Sequence, residues 1–211
     1  MPENYMGSDI SPSNKLKITI EGSEETPKEK KVITLIDGVQ IELGNDTETL
    51  NLESGAVGYS DVLVRGLWHR SVREIGHFRD EKVSFGGKHG MGTYVGAGEI
   101  GGTSLDSLKG ETCYEYKLEL SGNVLVVPFE TYDDTSWELL ERLGLDSENF
   151  KGQPGTVINK ILQRQEIDGV SYDAVIFYWP DRPHQKGILE GVVFKPEGSL
   201  RIVRVSRVGR K

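Results

Sequence analysis

Glycine is the residue type that most constrains the fold of this chain. It fills 26 of the 211 positions, whereas proline fills only 8. Glycine supplies tight turns and lets backbone segments approach each other closely. Short runs rich in valine and isoleucine lie between these glycines, and such runs are typical of strands. The sequence therefore predicts a turn-rich protein of mixed or mostly β structure.

Composition excludes several classes of protein. Hydrophobic residues make up 36% of the chain and charged residues 27%, as is usual for a globular protein. No apolar run approaches the roughly 20 residues of a membrane-spanning helix, and residues 1–30 lack the pattern of a secretory signal. Cys113 is the only cysteine, which excludes an internal disulfide and a cysteine zinc cluster. We therefore expect a cytoplasmic protein with no metal and no membrane partner.

The charge balance leaves one local question open. A formal net charge of -8 disfavours attraction of the whole molecule to nucleic acid. Residues 201–211 nevertheless contain five basic residues and no acidic one. This segment is either an edge strand with a solvated tail or a contact for a polyanion.

The chain divides into two parts near residue 58. Residues 1–14 are polar and predict a flexible leader, and residues 31–43 predict a β-hairpin that turns at Asp37-Gly38. We therefore assign residues 1–58 to a leader and β extension, and residues 59–211 to the main body.

Helices and strands of the body are predicted from periodicity and end signals. Helices are expected over 71–78, 135–143 and 156–166, the second starting with a capping box of Thr135 and Glu138. Strands are expected over 61–69, 114–120, 123–127, 172–178, 190–194 and 200–205. Ser121-Gly122 is expected to separate two of these strands.

Three short segments, far apart in the chain, carry the residues best suited to chemistry. They are Trp68-His69, Gly90-Met91-Gly92-Thr93-Tyr94 and Glu190-Gly191-Val192-Val193-Phe194. Each is weak alone, because such a histidine, tyrosine or glutamate is commonly structural. Their order along the chain is more specific than any one of them.

This order resembles the ADP-ribosyltransferase family of the diphtheria-toxin and poly(ADP-ribose)-polymerase type, which carries a His-Tyr-Glu triad. The resemblance covers roughly residues 60–205. It implies an α+β fold in which two small β-sheets pack face to face, with a few short helices and with NAD in the cleft between the sheets. It also implies an intracellular modifier such as a bacterial or phage toxin or effector, with an inhibitory immunity protein as a further partner.

The resemblance assigns a role to each residue of the triad. Glu190 would hydrogen-bond a ribose hydroxyl as positive charge develops on the sugar, and Tyr94 would stack on the nicotinamide ring. His69 would bind the adenosine-side ribose and position the dinucleotide. The residues expected to bind the cofactor are His69, Arg70, Gly92, Thr93 and Tyr94.

Two positions depart from the family pattern. Arg70 stands where many members have a glycine after the histidine, and Ile188 stands where arginine-modifying members have a second glutamate. The expected acceptor is therefore a nucleophile other than arginine, on a protein or a nucleic acid. A sister branch of the family starts its triad with arginine, so Arg65 is an alternative to His69. The threonine and tyrosine of the middle segment favour His69.

The loop over residues 179–187 corresponds to the region that faces the acceptor in the family. Trp179 and His184 could stack on a base or ring, while Arg182 and Lys186 could contact a phosphate. The structural alternative is an exposed loop that two prolines make stiff.

Other functions stay open on the sequence alone. The same cleft could hydrolyse NAD or remove a phosphate from RNA, as related transferases do, although only Arg65, His69 and Arg70 supply a basic cluster. The chain could also be a β-rich structural or interaction protein with no enzymatic activity.

Overall fold

A computed structural model describes residues 31–35, 38–80, 84–87, 90–97, 113–179 and 189–208. These residues form ten strands and three α-helices. The strands are β1 (Val32–Thr34), β2 (Gln40–Leu43), β3 (Thr49–Asn51), β4 (Val57–Ser71), β5 (Ser84–Gly87), β6 (Gly90–Ala97), β7 (Cys113–Pro128), β8 (Ala174–Tyr178), β9 (Leu189–Val193) and β10 (Leu200–Val208). The helices are α1 (Tyr132–Arg142), α2 (Pro154–Leu162) and α3 (Pro196–Ser199). The expected mixed, strand-rich α+β class with few short helices is confirmed at this level.

Five strands pair in a closed ring. β4 pairs with β6, β6 with β9, β9 with β8, β8 with β7, and β7 with β4. Only the pairing of β7 with β8 is parallel. The pairing of β4 with β6 is short, since it covers only Leu67 with Ala97 and Trp68 with Gly96. The strands form one continuous sheet that curls on itself, and after Trp68 an opening remains where β4 and β6 are not paired with each other.

The curled sheet separates two hydrophobic cores. The inner core fills the ring with side chains from all five of its strands, among them Leu67, Val95, Leu118, Ile176 and Val193. The outer core lies between the outer face of the sheet and helices α1 and α2, and includes Leu125, Leu139, Ile158, Val175 and Val192. Alternate residues of a strand point to opposite faces, so one strand supplies both cores.

The predicted hairpin is confirmed and belongs to the same sheet. β1 and β2 are antiparallel, and Gly38 in the connection has a φ of 76°, which favours glycine. β2 then pairs with β4, and Ile41 of β2 is fully buried in the inner core. The boundary predicted at residue 58 lies inside β4, so residues 38–58 pack as part of the main body. The predicted leader, residues 1–14, lies outside the described residues.

Three local predictions about the body are wrong. Ser71 is the last residue of β4, and residues 72–78 form bends and irregular chain instead of a helix; the Tyr116 hydroxyl accepts the Ile75 N–H and donates to the Arg73 carbonyl there. The two strands expected around Ser121-Gly122 are the single strand β7, in which Gly122 takes a φ of 141° at a register shift. That irregularity bends the strand without ending it.

The third wrong prediction is the capping box of Thr135 and Glu138. α1 begins earlier than expected, at Tyr132, so Thr135 lies inside the helix and its hydroxyl donates to the Thr131 carbonyl. Glu138 accepts the backbone N–H groups of Glu53 and Ser54 at 2.8 and 2.9 Å. The carboxylate therefore closes the turn before β4 and does not cap its own helix.

Candidate functional site

The three segments singled out in the sequence lie on adjacent strands of the ring. Trp68 and His69 are in β4, the glycine-rich segment with Tyr94 is in β6, and Glu190 is in β9. β6 is the central strand, because it pairs with β4 on one edge and with β9 on the other. His69 and Glu190 are 121 positions apart in the sequence, yet only β6 lies between their strands.

Tyr94 and Glu190 share the outer face of the sheet. Tyr94 lies opposite Val192, and Glu190 lies opposite Gly96 on one side and Phe177 on the other. Directly opposed residues point to the same face, and diagonal neighbours of this kind lie about 7–8 Å apart. Glu190 is only 7% exposed. The structure therefore brings a phenol ring and a largely buried carboxylate together on one surface.

Two glycines explain how closely these strands pack. A Cβ at Gly191 would lie 2.7 Å from Val95 Cγ2, so this position in β9 has no room for a larger residue. Gly92 has a φ of 151°, and a Cβ there would lie 3.0 Å from the Val193 carbonyl oxygen. The predicted contribution of Gly92 to cofactor binding stays a prediction, whereas its contribution to packing of β6 on β9 is direct.

His69 lies where β4 and β6 stop pairing. Its ring points toward the inner core and contacts Phe78 and Tyr116, with ring centroids 5.4 and 6.1 Å away. Its Nδ1 lies 2.7 Å from the carbonyl oxygen of Tyr94. The imidazole thus bridges the opening between the strands. It reaches the backbone of Tyr94, while the Tyr94 ring is on the outer face.

The hydrogen bond to Tyr94 fixes the tautomer of His69. A carbonyl oxygen only accepts, so Nδ1 carries the hydrogen and Nε2 of the neutral ring is an acceptor. Burial lowers the pKa of His69 below its ordinary value of 6.5, an effect that the hydrogen bond to Tyr94 partly offsets. Near neutral pH the ring therefore presents an unprotonated Nε2, which suits a hydroxyl donor.

The other residues expected at the cofactor site have different positions. Thr93 lies opposite Val193 and is largely buried toward the inner core, away from the face of Tyr94. Arg70 lies on the outer face and donates from Nε to Glu115 at 2.7 Å. The Thr93 hydroxyl therefore does not share a face with Tyr94 and Glu190, whereas Arg70 does.

Arg65, the alternative first residue of the triad, belongs to an ion-pair network. Its guanidinium pairs with Glu42 at 2.5 Å and with Glu119, which also accepts from Arg201 Nε at 3.1 Å. Glu42 and Glu119 raise the pKa of Arg65, so it stays charged. These contacts give Arg65 a structural role between β2, β4 and β7.

Trp179 is part of an aromatic stack at the ends of β7 and β8. Its ring lies on Phe129 with centroids 3.4 Å apart, and Phe129 stacks on Tyr132 at 4.2 Å. Tyr132 contacts the edge of Phe177, the residue opposite Glu190. The stack therefore borders the strand position next to the carboxylate. Arg182, His184 and Lys186 lie outside the described residues.

Sequence reasoning missed the side chains that hold β6 in place. Asn159 of α2 and Gln163, the residue that follows α2, both donate to the Met91 carbonyl oxygen at 3.0 Å. Asn159 is 1% exposed and lies among apolar residues of the helix. A polar residue on an otherwise apolar helix face was the available signal, because a buried amide needs hydrogen-bond partners.

A polar surface cavity of about 330 Å³ lies beyond the far end of β9 from Glu190. Its lining includes Gln163, Arg164, Glu166, Tyr172 and Lys195. Burial raises the pKa of Tyr172 to about 12, so its phenol is uncharged at neutral pH. This cavity is separate from the surface shared by Tyr94 and Glu190.

Comparisons of the chain with protein-family models, with curated proteins and with solved structures give no match. Within the described ranges, no group of three or more His, Cys, Asp or Glu side chains is placed to hold a metal ion. Within the same ranges, none of the helices combines the length and apolar character needed to span a membrane.

Proposed function

We propose that the protein is an NAD-dependent mono-ADP-ribosyltransferase that uses Glu190, Tyr94 and His69. The acceptor is a protein or nucleic-acid nucleophile other than arginine. The same proposal includes the finer fold, an ADP-ribosyltransferase-like pair of packed sheets, and a role as an intracellular toxin or effector.

One observation carries the proposal. The three segments that the sequence singles out by their residues and their order lie on three neighbouring strands, with Tyr94 and Glu190 on one face and His69 bonded to the Tyr94 backbone. The place where β4 and β6 stop pairing lies beside His69 and the Tyr94 backbone, and it offers a point for a ligand to enter the sheet.

The reaction breaks the bond between C1′ of the ribose and N1 of nicotinamide. The bonding electron pair leaves with nicotinamide and neutralises its ring, and the ribose gains oxocarbenium character. Glu190 stabilises that charge by accepting a hydrogen bond from a ribose hydroxyl. The acceptor's lone pair then bonds to C1′, and its proton passes to solvent. Nicotinamide and an ADP-ribosylated acceptor result.

Tyr94 and His69 would hold the dinucleotide for this step. The Tyr94 ring offers an aromatic surface beside Glu190 on the outer face, which suits stacking of nicotinamide. The unprotonated Nε2 of His69 can accept from a ribose hydroxyl at the opening between β4 and β6. Positioning of this kind lowers the entropic part of the barrier.

The ion pairs disfavour the RNA phosphotransferase alternative. That activity needs several basic groups around the site, but Arg65 is paired with Glu42 and Glu119. Arg70 is paired with Glu115, and His69 is held neutral by burial. Hydrolysis of NAD uses the same residues and differs only in that water is the nucleophile.

The proposal is tested by release of nicotinamide from NAD. We expect Glu190→Gln to lower the rate by about 10²–10³, because the uncharged amide does not stabilise the developing charge. Glu197→Gln, at an exposed carboxylate of α3, is the matched control and should keep the wild-type rate. Absence of nicotinamide release by the wild type, or an unchanged rate in Glu190→Gln, would contradict the proposal.

The acceptor is identified with labelled NAD. Free arginine, a protein lysate and nucleic acid are offered separately, and covalent label is measured in each. We expect label on protein or nucleic acid and none on arginine. Nicotinamide release without covalent label on any of the three would identify a glycohydrolase.

A further inference from the structure

A row of side chains crosses the outer face of the sheet from Glu190 to β10. Glu190 is opposite Gly96, and Gly96 is opposite Trp68. Trp68 is opposite Lys117 of β7, and Lys117 is opposite Arg204 of β10. Since neighbouring strands are about 4.8 Å apart, the row extends about 19 Å from Glu190. Lys117 and Arg204 are exposed, and Trp68 is partly exposed.

Lys117 and Arg204 lie directly opposite each other on paired strands, and the repulsion between their positive charges destabilises the folded chain when no ligand is bound. Like charges directly opposite each other in an antiparallel pair destabilise it. The other cations of this face have acidic partners, since Arg65 and Arg201 share Glu119 and Arg70 pairs with Glu115. Within the described part of the chain, Lys117 and Arg204 have no such partner. An anion bound from outside would remove the repulsion.

The surroundings of this pair are also basic. On the outer face of β4, β7 and β10, the cationic side chains are Arg65, Arg70, Lys117, Arg201 and Arg204. Their acidic neighbours are Glu42, Glu115 and Glu119. Cations thus exceed acids here, whereas the whole chain has a net charge of -8. The surface is a local basic region on an acidic molecule.

We propose that this surface binds a single-stranded nucleic acid. Lys117 and Arg204 contact its phosphates and the Trp68 ring stacks on a base, a combination that recurs in proteins that bind single strands. That the bound strand is the acceptor of ADP-ribose rests on the proposed function, whereas the binding itself does not.

The geometry favours a nucleic acid over an acidic protein segment. A peptide added to the sheet would use the backbone of β10 at its outer edge, but the uncompensated cations project from the face. An aromatic ring in the same row matches bases, which offer a stacking surface at every residue. An acidic peptide has no regular group for that ring.

The experiment measures binding of fluorescently labelled single-stranded DNA and RNA oligonucleotides at several salt concentrations, without NAD. The test variant is Lys117→Glu/Arg204→Glu. The matched control is Lys151→Glu/Arg164→Glu, which changes net charge equally at exposed sites around α2. Loss of two phosphate contacts should make the slope of log affinity against log salt shallower by about 1.4. We expect weaker binding in the test variant by about tenfold or more and wild-type binding in the control.

Trp68→Leu should weaken binding without changing the salt slope.

Several results would overturn the proposal. They are absence of salt-dependent binding by the wild type, equal loss in the test and control variants, or binding of poly-glutamate in place of the oligonucleotides. Glu190→Gln separates this proposal from the proposed function, because it should bind the oligonucleotides normally while its nicotinamide release falls by the factor expected above. Oligonucleotide binding without nicotinamide release in the wild type supports the surface and contradicts the enzyme. Nicotinamide release without oligonucleotide binding supports the enzyme and contradicts the nucleic-acid-binding surface.

Discussion

At the residue scale, the buried imidazole of His69 links stability to pH. Burial lowers its pKa in the folded protein, so between that value and 6.5 the unfolded chain binds more protons than the folded one. The free energy of unfolding should therefore decrease as the pH falls below about 6.5. This contribution is fully present above that pH and is lost as the pH falls toward the folded pKa.

The variant His69→Asn isolates this effect. An asparagine amide can still donate to the Tyr94 carbonyl, but it does not titrate. Urea unfolding from about pH 8 to about pH 5 should show a shallower decrease in stability for the variant than for the wild type. Parallel curves for the two proteins would show that His69 does not undergo the expected change of charge.

The sequence predicted which residues would lie near one another better than it predicted the faces they occupy. The order of His69, Tyr94 and Glu190 predicted that distant segments meet, and the strand pairing brings the three segments together. The register then places Thr93 and the His69 ring toward the inner core and Tyr94 toward the outer face. Alternation assigns neighbours to opposite faces, but only the paired strands determine which face is inside.

At the scale of elements, packing of β6 against β9 depends on Gly191. A Cβ at this position would lie 2.7 Å from Val95 Cγ2, closer than real side chains approach. Gly191→Ala should therefore lower the free energy of unfolding by about 1–3 kcal/mol, as overpacking does. Because Glu190 precedes Gly191, nicotinamide release should also decrease.

Gly198→Ala is the control for that measurement. Gly198 is exposed, and a Cβ there would meet no atom within 4 Å. Urea unfolding should show little change for this variant. Equal stability of Gly191→Ala and Gly198→Ala would mean that β6 and β9 adapt easily to the added methyl group.

The elements that the sequence failed to predict depend on distant partners. The Tyr116 hydroxyl binds the backbone near Ile75, and Glu138 binds the backbone at Ser54. A local signal such as Thr135 and Glu138 at capping-box spacing cannot reveal that the carboxylate instead accepts a hydrogen bond from the backbone 84 residues away. By contrast, the hairpin of β1 and β2 was predictable because its glycine and its alternating residues are adjacent.

At the scale of the whole molecule, the ring closes only because β4 and β7 are long. β4 pairs with β7 from Val57 to Ser71, and its other edge is shared by β3, β2 and β6 in succession. The short strands β2 and β3 therefore pair with the part of the β4 edge that β6 does not occupy, and β1 and β2 pack against the inner core. Periodicity predicts where strands lie, but it does not predict that several short strands pair with one edge of β4. The sequence therefore predicted a separate N-terminal extension, whereas the structure has these strands in the main sheet.

Ile41→Ala tests whether this N-terminal part and the ring unfold together. Ile41 is fully buried in the inner core, so its truncation should lower the free energy of unfolding by about 2–4 kcal/mol. Tryptophan fluorescence reports on Trp68, Trp137 and Trp179, none of which belongs to residues 31–58. We expect the fluorescence transition of the variant to move to lower urea as a single step, together with the circular dichroism signal. Val32→Ala, at a 45% exposed position of β1, should leave the midpoint nearly unchanged. A fluorescence midpoint that is the same in Ile41→Ala and wild type would show that the extension folds independently of the ring.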